Sequence, residues 1–174
     1  MKFSELSWYK ALAFLGALTL AVTPSSTIAG HLPAQESEIK PGGNLSHSKL
    51  NNTDLQGVNL YGANLKDANL REVNLSSAKL VDADLRGTDL TSSNLSDANL
   101  RGANLSSAKL SDANFSSANL TAANLSNANL SDANFSDADL TVANLNGIQA
   151  INLKGCPASL PIGWKCENKA LIQS

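Results

Sequence analysis

The chain has 174 residues, 43% hydrophobic but only 5% aromatic, with 13 basic and 15 acidic side chains and a formal net charge of −2. That balance lacks the basic footprint of a nucleic-acid-binding protein. Neither of the two histidines lies near the two cysteines in sequence, which speaks against a four-ligand structural zinc centre.

Residues 1–29 read as a secretory signal peptide. Lys2 and Lys10 flank a basic start, residues 11–22 form the apolar run ALAFLGALTLAV, and Thr27 and Ala29 supply the small residues before Gly30. The apolar run is shorter than the ~20 residues a spanning helix needs, so no stable membrane span is expected after cleavage. No Arg pair is present, which points to the general secretory route. Without residues 1–29 the chain keeps 11 basic and 14 acidic residues. Residues 30–43 (GHLPAQESEIKPGG) are polar and rich in Pro and Gly, the composition of a linker.

From residue 45 to residue 145 every fifth position is Leu or Phe. Two residues earlier stands a small or β-branched side chain, with an unbroken series of Ala from Ala98 to Ala143, and one residue earlier is almost always Asn or Asp. In extended chain, side chains alternate between faces, so Ala and Leu point one way and the intervening Asn or Asp the other. A helix with 3.6 residues per turn cannot keep a five-residue period on one face. A flat strand also fails, because an odd period sends successive Leu to opposite sides. A short extended side followed by a corner, repeated as a solenoid, keeps every Leu on a common axis. The two remaining positions are Ser, Thr, Asp, Asn, Gly or charged almost throughout, as corners require.

Tandem Ala-Asn/Asp-Leu-x-x units, as in Ala98-Asn99-Leu100 and Ala103-Asn104-Leu105, resemble the pentapeptide-repeat family. The resemblance implies an all-β solenoid, a right-handed quadrilateral β-helix with four units per coil, over residues 44–150. Its 21 units from Leu45 to Leu145 then make about five coils. On that geometry Leu45, Leu65, Leu85, Leu105, Leu125 and Leu145 stack in one interior column, and Phe115 and Phe135, 20 residues apart, stack in another.

Residues 151–174 read as a C-terminal cap. The end of a solenoid exposes its Leu ring and an unpaired backbone edge, which must be covered. Leu153 falls out of phase with the Leu repeat, Leu160, Ile162 and Trp164 are candidates to cover the last coil, Pro157 suits a first helical turn, and residues 167–172 are expected to form a short final helix. Cys156 and Cys166, the only two thiols, are expected to form one disulfide in an exported chain.

No nucleophile and base converge in the sequence: His31 lies in the linker, His47 in the first coil, and the serines at regular outward positions. A non-catalytic structural or protein-interaction scaffold without cofactor or metal is the reading these residues carry, with an unidentified protein as partner. Two alternatives stand beside it. DNA mimicry is one activity of the family, but the repeats hold seven basic against eleven acidic residues, far from the dense negative field of duplex DNA. A lattice- or polysaccharide-binding surface would need outward columns of one residue type, and the columns read as mixed. The resemblance extends to exported cyanobacterial members with a disulfide-held helical cap, which implies the thylakoid lumen or periplasm. The segment NLSSAKL occurs at residues 74–80 and again at 104–110, a trace of growth by duplication.

Overall fold

A computed structural model describes residues 38–174. The expected signal peptide, residues 1–29, and the first part of the expected linker lie outside the described residues.

The chain winds into a four-sided coil. Parallel backbone bridges join residues 20 apart along its length, from Asn44–Asn64 to Asp139–Ser159. Each side contributes two hydrogen bonds to its neighbours: Leu65 N–H donates to the Asp84 carbonyl of the next coil (2.7 Å), and Asn64 N–H donates to the Gly43 carbonyl of the previous one (2.9 Å). Backbone polar groups are thus satisfied between coils, as they must be when so short a side has no partner within itself.

Corners obey one rule. The residue two after each Leu has a positive φ, whether it is Gly62 (61°), Asp82 (56°), Ser92 (59°) or Val142 (52°). The following residue closes the turn, for example Ala63 N–H donating to the Leu60 carbonyl at 3.1 Å. A positive φ at this place is what a type II turn needs, and it accounts for the Gly, Asn, Asp and Ser found there. His47, Glu72, Ala122 and Val142 depart from that set, and Val142 is the β-branched one, in a conformation that disfavours it.

Every interior Leu and Phe is closed off from solvent. Leu65, Leu85, Leu105, Phe115, Leu125 and Phe135 are fully buried, with Leu45 and Leu145 nearly so, and the Ala column fills the space beside them. The rings of Phe115 and Phe135 are stacked at 5.0 Å between centroids and 6° between planes. Three of the polar substitutes in the small-residue column find partners inside, the hydroxyls of Thr53, Thr88 and Ser93 donating to the Leu50, Leu85 and Leu90 carbonyls at 2.6, 2.7 and 2.5 Å, whereas the Ser48 hydroxyl is buried without one.

The two ends differ from the sequence expectation. Residues 38–43 are built into the coil: Ile39 is buried, and Gly42 N–H donates to the Tyr61 carbonyl at 2.8 Å. Residues 38–43 therefore carry structure where a linker was expected, because they cover the open N-terminal Leu ring. At the other end the coil continues past residue 150. Leu153 is buried in the position that Ala holds in earlier units, so it stays in phase with the small-residue column. The bridge register slips once, at Asn134–Gly155, and recovers at Asp139–Ser159.

The cap is a β-hairpin, not a helix. Strand β1, Trp164–Glu167, pairs antiparallel with β2, Ala170–Gln173. Asn168 and Lys169 between them both have positive φ, 49° and 60°, the requirement of a two-residue type I′ turn. Pro157 lies outside any helix among the described residues. Leu171 is buried, and Trp164 and Leu160 pack partly against the core. Ile162 is fully exposed at the tip of a turn closed by Trp164 N–H to the Pro161 carbonyl, so it does not cover the coil. Cys156 and Cys166 are joined, with 5.9 Å between Cα atoms, tying β1 to the last coil.

Candidate functional site

The outward residue before each Leu defines four columns, one per face. The first runs from Asn44 to Asn144, the second from Lys49 to Gln149, the third from Asp54 to Asn134 and the fourth from Asn59 to Asp139. Within the coil, the polar side chains that reach solvent lie on these faces and their corners, since the interior is apolar.

The same side-chain oxygen shapes each corner. Asn94 Oδ1 accepts from Ser96 N–H at 3.1 Å, and Asn114 and Asn134 hold Ser116 and Ser136 in the same way. These side chains mimic a backbone turn. On the third face they also connect vertically: Asn74, Asn94, Asn114 and Asn134 each donate an amide N–H to the residue one coil below, ending on Asp54, at 2.9 to 3.4 Å. A continuous ladder fixes the orientation of every amide on that face.

The four faces differ in composition. The second and fourth faces mix residue types, as expected, and the first interrupts its asparagines with Asp84 and the corner cations Lys66 and Arg86. The third face instead repeats Asn-x-Ser at successive coils, in Asn74–Ser76, Asn94–Ser96, Asn114–Ser116 and Asn134–Ser136. Nothing in the five-residue repeat marks this; writing the sequence in blocks of twenty reveals it.

Charge is sorted too. Six of the seven cations of the repeats lie on or beside the other faces, and the seventh, Arg71, shares the corner between the second and third faces with Glu72; several are paired. Arg86 makes a two-pronged contact with Asp84, Nη2 to Oδ2 at 2.6 Å and Nε to Oδ1 at 2.8 Å. Asp89 lies between Arg71 and Lys109, at 3.6 and 3.9 Å. The Arg86 guanidinium holds the Asp84 carboxyl below its ordinary value. For Asp89 partial burial pushes upward, and the Thr91 hydroxyl and N–H together with Arg71 and Lys109 outweigh it. The Thr141 hydroxyl and N–H lower Asp139.

No Lys or Arg stands on the third face between Asp54 and Lys154, whereas Glu72, Asp97, Asp112, Asp132 and Asp137 line its two edges. Among the described residues Asp112 alone of these five has an ion pair, with Lys154 at 3.1 Å. From Asn74 to Asn134 the result is a flat, rigid, uncharged floor of Asn and Ser between two edges whose only cation, Arg71, is paired with Asp89.

The described residues offer no alternative centre. His47 is an exposed corner residue in the first coil, and no group of His, Cys, Asp and Glu is arranged to hold a metal ion among the described residues. An open hollow of about 550 Å³ near the N-terminal end is lined by Pro41, Tyr61, Lys79 and Val81; it brings together no acid–base pair. Among the described residues no helix is long and apolar enough to cross a membrane.

A coil of stacked four-sided turns with a five-residue unit defines a class of solenoid. The Pentapeptide repeats profile matches this chain in 8 copies, over residues 44–76, 68–106 and 108–147. The chain belongs to the pentapeptide-repeat family. Similar solved structures include the pentapeptide repeat protein Rfr23 of the cyanobacterium Cyanothece 51142, 31% identical over 70% of this chain and 86% of that one, with a TM-score of 0.30. A Nostoc PCC 7120 pentapeptide repeat protein is 29% identical over 69% of this chain and 88% of its own, TM-score 0.34. One from the Arabidopsis thaliana thylakoid lumen is 27% identical over 64% and 77%, TM-score 0.28. No curated protein matches the chain.

Proposed function

We propose that this protein is an exported, non-catalytic interaction scaffold, a right-handed rod whose third face docks a protein partner with a cationic surface. The observation that carries the reading is the third face itself, with its fixed Asn–Ser floor free of cations and its mainly acidic edges. Rigid side chains lose little freedom on binding, and carboxylates without internal partners are free to steer and register an oppositely charged surface. Export to the thylakoid lumen or periplasm rests on the pattern of residues 1–29 and is supported by the disulfide, which suits an oxidising compartment.

DNA mimicry fits the same face poorly. Four coils span ~19 Å at ~4.8 Å per coil. Duplex DNA carries about eleven charges over that length, against the five carboxylates of the third face.

The test exploits the missing lysines. A zero-length reagent that couples carboxylates to amines is applied to cells before fractionation and mass spectrometry. Links from Asp97, Asp132 or Asp137 to lysines of another exported protein support the reading. Links confined to the other faces, or a cytoplasmic chain retaining Met1, overturn it. Inhibition of a topoisomerase by the purified protein at low salt would establish the DNA-mimic reading instead.

A further inference from the structure

Asn146 stands apart from every other asparagine of the chain. It is the only one followed by glycine, and both Asn146 and Gly147 are exposed. Its side chain makes no hydrogen bond among the described residues, unlike Asn144 beside it, whose amide donates to Asn124 Oδ1 at 3.1 Å.

The backbone makes the difference sharper. From Gly42 to Asp132 the second residue of every corner donates its N–H to a carbonyl one coil further on, as in Asn52 to Arg71 (2.9 Å) and Asn127 to Asn146 (2.9 Å). For Gly147 the acceptor would lie on a coil that the chain does not make, and its N–H has no partner among the described residues. Asn51 is the only other asparagine at the first corner position, and the N–H that follows it, on Asn52, is bonded. Asn168, in the hairpin turn, precedes Lys169, whose side chain crowds its own nitrogen. Asn152 precedes Leu153, whose N–H donates to the Lys169 carbonyl at 2.8 Å.

We propose that Asn146 is a site of spontaneous deamidation in the folded protein. The Gly147 nitrogen gives up its proton to solvent base and attacks Asn146 Cγ; the C–N bond of the side-chain amide breaks and ammonia leaves, giving a cyclic imide. Water then opens the ring at either carbonyl, yielding Asp or isoaspartate at position 146. Either product adds one negative charge to the last full coil. The isoaspartate also inserts a methylene into the main chain at the corner whose carbonyl accepts the Asn127 N–H. The modification therefore marks the age of the rod at its capped end and loosens the contact between its last two coils.

The measurement is peptide mapping by mass spectrometry of the disulfide-intact chain held in mildly alkaline buffer, natively and in concentrated urea. In the native protein Asn146 converts, while Asn51, whose following N–H must first be released from its bond, is slower by about fivefold to thirtyfold relative to its own rate in urea. If Asn146 converts in urea and stays intact in the folded chain, the fold protects it and the proposal fails. If Asn51 converts as fast folded as unfolded, the hydrogen-bond argument fails. Asn146→Gln leaves Gly147 and the corner untouched and should abolish conversion at this position; persistence of the same mass gain in that variant would place the reaction elsewhere and overturn the assignment.

Discussion

Gly155→Ala is the most informative single change in the rod, because the bridge register slips at this residue. A Cβ built there lies far inside contact distance of Ser136 Oγ, 2.7 Å from Asn134 Oδ1 and 2.9 Å from Ser136 Cβ. The Ser136 Cβ is anchored to the main chain of the coil below and cannot rotate away, so the last coil must lift. Overpacking of this kind costs about 1–3 kcal/mol. Loss of the Ser136 hydroxyl bond to Asn134 Oδ1, 2.8 Å long, adds about 1 kcal/mol. At roughly 2–4 °C per kcal/mol for a chain of this size the melting temperature falls by about 10 °C. Gly62→Ala is the control: its φ is +61° and nothing lies within 4 Å of the added methyl. It carries only the left-handed backbone cost of about 1–2 kcal/mol, partly offset by reduced freedom of the unfolded chain. Thermal melts followed by circular dichroism without reductant give both values. Ser136→Gly in the Gly155→Ala background should recover most of the loss. Equal melts for the two alanine variants, or no recovery in the double variant, would refute the steric account of the slip.

Phe135→Ala should cost about 3–5 kcal/mol, and combined with Phe115→Ala should cost less than the sum, since each ring stacks on the other; urea titration of the three variants checks this. Val142→Asn should raise stability by about 1 kcal/mol, because Val142 holds φ 52° in a region that asparagine tolerates and a β-branched residue does not. Asp84, Asp89 and Asp139 have carboxyls held below their ordinary values. Their contribution is therefore complete above the unfolded value of about 4 and fades as pH falls through the lower folded values; Asp84→Asn should flatten the acid limb of a stability–pH curve and leave neutral stability lower. Replacing both cysteines by serine should cost about 3 kcal/mol for so short a loop, read as a lower melting temperature equal to that of the reduced parent chain.

The core was legible in the sequence because burial repeats every five residues and tolerates almost no exceptions; Leu45 to Leu145 need no tertiary knowledge to be assigned inward. The cap was not. Its residues carry no period, and a six-residue stretch such as Glu167–Ile172 is short enough for either a helical turn or a strand. The two residues Asn168 and Lys169, which accept positive φ, settle it as a hairpin, and their effect depends on the strand partner that Leu171 finds over Ala150. Ile162 illustrates the same limit: hydrophobicity alone suggested cover for the coil, but Gly163, with φ +83°, turns the chain and leaves Ile162 outside. The candidate docking face was present in the sequence from the start and hidden by reading it in fives.

Two independent counts run along one chain: the interior is read modulo five and the surface modulo twenty. Removing or adding one unit between Asn94 and Asn114 leaves every Leu inside but carries all later surface groups around one corner, so that Asn114 and Asn134 no longer stand above Asn94. A duplication of thirty residues, the offset between the two NLSSAKL segments, transfers a patch to the opposite side of the rod with its interior packing intact. Such a chain can change length with little penalty to folding and still lose, move or copy a recognition face in a single step, so its stability and its specificity evolve under different rules.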